Sequence, residues 1–402
     1  MTGRSHEPVS DARALSQLTI AAIARIVDLV EAMHYNVARI PGFSAEAGPE
    51  RTTGITGLVY RSIGGTVGLV GHTLDRLLSR LNPLLRARSA WPGREPVLAA
   101  LNGVLGDYLA ASGNPLALRM SLRRDGQPLP VQAPALAAAL PRDCGKLLIL
   151  VHGLCMSDRQ WSRKGHDHGA ALARDLGYTP VYLNYNSGLH VSVNGRAFAD
   201  QIEALLRVWP LPLTRFAILG HSMGGLVARS ACHYGRAAGH SWVRQLDTLV
   251  FLGTPHHGAP LERGGSIVDM LLGISRYTAP LARLGKVRSA GITDLRYGSV
   301  VDEDWQGRDR FERRGDQRSR VPLPENLRCY AIAASTGRRS GDASDRLIGD
   351  GMVPVASALG NHRKRDVALG IPESQQWIGY EMNHLDLLDR RDVYATLSRW
   401  LS

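Results

Sequence analysis

The chain has 402 residues, enough for one large α/β domain plus further material, and its apolar content of 44% can fill a sizeable core. Four cysteines (Cys144, Cys155, Cys232, Cys329) stand without pair spacing, which argues against both a zinc site and a disulfide framework. The formal net charge of +12 rests almost wholly on arginine, and with no nucleic-acid-binding motif beside it the excess reads as a solvated basic surface rather than a nucleic-acid interface.

No charged start followed by an apolar run and a cleavage site is visible, so export by a standard signal is not expected and the chain is read as cytoplasmic. No stretch reaches the roughly 18 uninterrupted apolar residues of a membrane span. Residues 11–39 read as one helix, with Leu15, Leu18, Ala22, Ile26, Leu29 and Met33 on one face and Ile20, Ile23, Val27 and Val30 widening it. Pro41 and Gly42 close that segment. A second apolar stretch, 54–85, carries Gly57, Gly64, Gly65, Gly68 and Gly71, and small residues at such spacing let helices approach closely. The preferred reading of residues 1–112 is a helical extension packed on the main domain. Peripheral membrane contact or an oligomer contact is the minority reading, and the oligomeric state is left open.

From about residue 113 the character changes. Leu118, Met120 and Leu122 alternate with Arg119, Ser121 and Arg123, and Asp125-Gly126 supplies a turn, so a strand hairpin is expected. Leu147 to Val151 is a continuous apolar run, as for a strand covered on both faces. Similar runs follow at 180–183, 216–219, 249–252 and 329–333, with helical patterns between them at 170–176, 195–208 and 226–234 and a terminal helix at 391–401. That alternation predicts a mostly parallel sheet with helices on both faces. It stops between Gly258 and Leu327, where apolar pieces (267–274) and a charged run (308–320) read as a lid inserted over about 259–327.

Four separate pieces carry chemistry. Leu219-Gly220-His221-Ser222-Met223-Gly224-Gly225 lies between an apolar strand and a helix, the nucleophile-elbow pattern. The two glycines remove side chains that would collide with a serine on so sharp a turn. The pentapeptide alone is a weak signal, so the rest must support it. His152-Gly153-Leu154 follows the first buried strand, and the N–H groups of Leu154 and Met223 are the natural oxyanion donors. Gly349-Asp350-Gly351 is a turn able to carry an acid, and Asn383-His384 precedes the terminal helix. In this scheme Ser222 attacks, His384 takes and returns the proton, and Asp350 holds the imidazole tautomer. Asp342 and Asp345 are rival acids, disfavoured because neither sits in the glycine turn. His221 is read as a packing residue. His256 and His257, in Gly253-Thr254-Pro255-His256-His257-Gly258, are read equally as a pocket wall or as exposed loop imidazoles. His166-Asp167-His168 is read as a solvated helix start rather than a metal site.

These motifs resemble the α/β-hydrolase superfamily of lipases and esterases, and within it a bacterial branch similar to the GPI-inositol deacylase (PGAP1-like) domain. The resemblance spans about residues 145–402 and leaves residues 1 to about 112 uncovered. It implies the α/β-hydrolase fold and hydrolysis of carboxylic esters, commonly of small-molecule or lipid esters, through an acyl-serine and with no cofactor or metal. Acyl transfer, thioester or amide hydrolysis on the same triad stays open, as does a non-catalytic membrane-associated scaffold.

Overall fold

A computed structural model of the chain describes residues 94–259, 289–308, 315–339, 349–364 and 366–402. The helices expected at 11–39 and 54–85, the apolar part of the expected lid at 267–274, and the rival acids Asp342 and Asp345 lie outside these residues.

The apolar runs form strands within one or two residues of their expected ends. The strands are β1 (Ser121–Arg124), β2 (Gln127–Pro128), β3 (Lys146–Val151), β4 (Thr179–Asn184), β5 (Arg215–His221), β6 (Thr248–Leu252), β7 (Arg328–Ala334) and β8 (Gln376–Gly379). They make one sheet in the order β2-β1-β4-β3-β5-β6-β7-β8. Strand β1 runs antiparallel to β2 and β4, and every other pairing is parallel. Asp125 and Gly126 both take positive φ, 52° and 73°, which turns β1 back into β2 with the twist a two-residue hairpin needs. Leu147 to Val151 are fully buried, as the unbroken apolar run requires of a strand with helices on both faces.

The helices among the described residues are α1 (Arg94–Ala111), α2 (Ala133–Ala139), α3 (His168–Leu176), α4 (Val191–Leu206), α5 (Met223–Ala237), α6 (Trp242–Gln245), α7 (Ala290–Asp294), α8 (Val355–Ala358) and α9 (Arg391–Leu401). Asp167 caps α3 by accepting the Ala170 N–H, and Gly177 closes it with φ 72°. Helix α1 precedes the first strand and has no polar face: Val97 through Leu101, then Val104, Leu105 and Leu109, are all buried. A helix apolar all round belongs inside a fold. Asn186, after β4, donates to the Gly106 carbonyl at 2.9 Å, and Ser289 donates to that of Gly103 at 2.7 Å. Helix α1 thus braces both the loop after β4 and the chain entering α7.

Strand register decides what meets at the edge of the sheet. Val151 pairs with Gly220, and His221 pairs with Leu252. The residues that leave these strands, His152, Ser222 and Gly253, therefore emerge side by side at the carboxyl end. That end is where sites form in open α/β sheets. Among the described residues no helix is long and apolar enough to cross a membrane.

Candidate active site

Ser222 stands between β5 and α5 with φ 54° and ψ −126°, a conformation rare for any residue with a side chain. Its N–H donates to the Leu252 carbonyl at 2.8 Å and its carbonyl accepts the Gly225 N–H at 3.1 Å, so neighbouring backbone pins the turn. The side chain caps nothing in α5. A Cβ on Gly224 would come within 2.2 Å of the Val151 carbonyl oxygen, which is backbone that cannot move aside. Met223 is the first residue of α5, where a backbone N–H has no acceptor inside the helix.

Strand β3 delivers His152, Gly153 and Leu154 to the same place. A Cβ on Gly153 would lie 3.0 Å from Cβ of Ser222, so the bare glycine lets this loop close on the serine. His152 is completely buried and stacks on Tyr185, with ring centroids 4.3 Å apart. The Tyr185 N–H donates to its Nε2 at 3.4 Å, which leaves Nδ1–H to donate to the Gly153 carbonyl at 2.8 Å. The Tyr185 hydroxyl holds the His152 carbonyl at 2.8 Å. Burial pulls the His152 pKa down to about 4 and keeps the ring neutral. This clamp fixes the loop carrying the Leu154 N–H, and no sequence motif announces Tyr185 as its partner.

Asp350 and His384, 34 positions apart, meet from the turn before α8 and the loop before α9. The Asp350 turn uses φ 57° at Gly349 and 95° at Gly351. Oδ1 of Asp350 accepts the N–H groups of Met352 (3.0 Å) and Val353 (2.8 Å), and Oδ2 lies 2.6 Å from Nδ1 of His384. A backbone bond from the His384 N–H to the Asp350 carbonyl, 3.1 Å, ties the two loops together. Both side chains are shut off from solvent. Nε2 of His384 is buried and has no hydrogen-bond partner among the described residues. His384 also packs beside His221, with ring centroids 4.8 Å apart, and against Gly253, where a Cβ would stand 3.0 Å from its Cε1.

The remaining histidines are more buried than sequence suggests. Nε2 of His221 donates to the His384 carbonyl at 3.2 Å, so it supports the loop of a residue 163 positions away. Burial, with His384 beside it, holds its pKa well below the usual imidazole range. His168 does start a helix, but it is not solvated. It is fully buried, bonded to His166 at 2.8 Å and to the Leu387 carbonyl at 2.9 Å, because α3 begins beneath the chain that leads into α9. His256 is fully buried and His257 partly so, which removes the reading of exposed loop imidazoles. Among the described residues no group of three or more His, Cys, Asp or Glu side chains is arranged to hold a metal ion. The four cysteines are buried and unpaired. The described part of the expected lid runs close to the site: the Gly291 N–H donates to the Gly188 carbonyl at 3.0 Å, and a Cβ on Gly291 would meet Cε of Met223 at 2.8 Å.

Residues 144–319 match the family described as the PGAP1-like alpha/beta domain. No curated protein matches the chain. Among solved structures, the mature form of the Bacillus licheniformis lipase BlEst2 is 17% identical with a TM-score of 0.44, over 71% of this chain and 98% of that one. The Pyrococcus furiosus esterase Pf2001 is 13% identical with a TM-score of 0.37, over 65% of this chain and 83% of that one. A lipase-esterase related protein from Clostridium acetobutylicum is 9% identical with a TM-score of 0.34, over 65% of this chain and 94% of that one. With parallel strands in this order, an elbow leaving β5 and the family match running from just before β3, the chain has the α/β-hydrolase fold, and its residues 144–319 are similar to the PGAP1-like alpha/beta domain.

Proposed function

We propose that the protein is a serine hydrolase that cleaves carboxylic esters, of acyl or lipid type, through an acyl-serine. The observation that carries this reading is the 2.6 Å bond from His384 Nδ1 to Asp350 Oδ2, in a ring that packs against His221 of the elbow and whose far nitrogen has no partner among the described residues. A carboxylate on Nδ1 fixes the proton there and leaves Nε2 as a lone-pair base. The Ser222 hydroxyl attacks the ester carbonyl carbon while its proton passes to Nε2. The carbonyl oxygen becomes an oxyanion, stabilised by the N–H groups of Leu154 and Met223. Collapse breaks the bond to the alcohol oxygen, which leaves with the proton from Nε2. Water then repeats the sequence on the acyl-serine, releasing the carboxylic acid and restoring Ser222.

The test is labelling of the full chain with a fluorophosphonate probe, beside turnover of p-nitrophenyl esters of graded acyl length. Labelling and turnover are expected in the wild type and lost in Ser222→Ala, with a graded series exposing the preferred acyl length. Undiminished labelling of the folded Ser222→Ala variant overturns the assignment.

A further inference from the structure

The loop after β6 borders a cavity of about 100 Å³, roughly three water volumes, lined by Arg229, His256, His257, Arg318, Arg320 and Leu369 among others. Arg229 lies on α5 seven residues beyond Ser222, about 10 Å along the helix. Its guanidinium is buried without an ion-pair partner among the described residues. Nη2 donates to the Val321 carbonyl at 2.9 Å, Nη1 to Nδ1 of His256 at 3.4 Å, and the Nε hydrogen has no acceptor. Burial, with Arg318 close by, pulls the Arg229 pKa down to about 10, the mark of a cation short of counter-charge.

Arg318 is held in place rather than splayed into solvent. Nη1 donates to the carbonyls of His256 (2.6 Å) and Tyr297, and Nη2 donates to Nδ1 of His257 at 2.8 Å. Both histidines therefore accept at Nδ1, so a neutral ring carries its proton on Nε2. Nε2 of His256 is buried without an acceptor among the described residues, whereas the backbone carbonyl of Gly360 faces the His257 ring. Burial keeps His256 well below the usual imidazole range and His257 at about 4, so neutral rings are the forms present near pH 7. Nearby acids offer little relief. Asp316 pairs with Arg318 at 3.2 Å, and the two oxygens of Asp304 take the N–H groups of Ser319 (2.6 Å) and Val300 (3.1 Å). Two donors, Nε of Arg229 and Nε2 of His256, are thus left without acceptors around one cavity among the described residues. Native structures rarely leave such groups unmet, and an unseen ion is one standard resolution. The cavity reaches the surface at the exposed residues Ser319 and Arg320.

We propose that this cavity binds a phosphate-type oxyanion, held by Arg229, Arg318 and Arg320 together with the Nε2–H group of His256. A tetrahedral anion offers acceptors in several directions, and guanidinium groups match its oxygens. The same chemistry occurs in free phosphate and in a phosphomonoester lipid headgroup. The site is separate from Ser222, so its test reads binding and not turnover.

Calorimetric titration of the full chain with inorganic phosphate, at constant ionic strength against chloride, should show one saturable site. Arg320→Glu, at the exposed mouth, should keep the wild-type circular dichroism and lose about tenfold or more in affinity, as should Arg229→Met if it folds. Flotation with phosphatidylcholine vesicles containing phosphatidate supplies the second arm. Flotation lost in Arg320→Glu identifies the lipid headgroup as the source, whereas phosphate binding without flotation identifies the free anion; either outcome supports the site. The proposal falls if neither phosphate nor phosphatidate vesicles bind, or if binding is unchanged in Arg320→Glu and in Arg318→Gln.

Discussion

Nδ1 of His384 and Oδ2 of Asp350 lie 2.6 Å apart, while the other oxygen of the same carboxylate is held by two backbone N–H groups of its own turn. The carboxylate cannot rotate away from the ring without abandoning those bonds. Asp350→Asn keeps one acceptor for the turn but can present an NH₂ group to Nδ1, which favours the tautomer with its proton on Nε2. Turnover of a p-nitrophenyl ester is expected to fall about 10⁴-fold in kcat, with the thermal midpoint nearly unchanged. A loss below tenfold would remove Asp350 from the reaction.

The elbow makes a steric prediction that is independent of chemistry. At Gly224 an added methyl meets the carbonyl oxygens of Val151 (2.2 Å) and His152 (2.6 Å), the last residue of the central strand β3 and the one that follows it. Gly224→Ala is expected to lower stability by about 1–3 kcal/mol or more, or to abolish soluble expression. Gly145→Ala is the control: its methyl would meet nothing closer than 3.6 Å, and it should behave as wild type. Equal thermal midpoints for the two variants would contradict the tight fit.

Acid should unfold the protein earlier than its carboxylates alone would demand. His152, His168 and His257 are pulled down to about 4, and His221 and His256 lie well below their usual range, in every case chiefly by burial. In the unfolded chain the same rings titrate near 6.5. Between about pH 6.5 and 4 the unfolded state binds more protons, so stability falls as pH drops through that window and is level above it. Asp158 and Asp294, raised by burial, push the other way but are fewer. Denaturant midpoints measured from pH 8 to pH 5 should be flat down to about 6.5 and then decline. A flat profile to pH 5 would mean that these rings are not buried as described.

Sequence made the central strands legible because each is covered on both faces and so must be apolar throughout. Strand β8, Gln376–Gly379, escaped because it sits at the sheet edge, only partly buried, with no apolar run to mark it. The sharp turns at Ser222 and Asp350 were readable because such turns demand glycine, and the 2.6 Å contact of Asp350 with His384 joins two segments that the motifs had singled out. The supports around them were not. Tyr185 on His152, and His221 on the His384 carbonyl, are contacts between distant segments made by residue types that usually serve elsewhere. The cluster on Arg229 was hidden for the same reason, since its members come from α5, the loop after β6 and residues 318–321.

Helix α1 supplies the last prediction, since it lies ahead of the first strand and outside the family match yet is built into the core. Nδ2 of Asn102, in its middle, donates to the carbonyls of Leu98 (2.9 Å) and Leu116 (2.8 Å), and Oδ1 accepts the Leu118 N–H at 2.8 Å. Asn102→Ala leaves the buried Leu116 carbonyl unpaired, at about 1–3 kcal/mol, and frees the partly buried Leu118 N–H, which costs less because water can reach it. Removing the helix altogether is far worse. Val97, Leu98, Leu101, Val104, Leu105 and Leu109 are each worth roughly 1.5–3 kcal/mol of burial, together comparable to the whole stability of a typical domain. A chain lacking residues 1–112 is therefore expected to aggregate even though Ser222, Asp350 and His384 all remain, whereas Asn102→Ala should fold with a lowered midpoint. Size-exclusion chromatography and ester turnover on the two proteins decide it: a truncated chain that is soluble, monomeric and fully active would show that α1 is dispensable to the core.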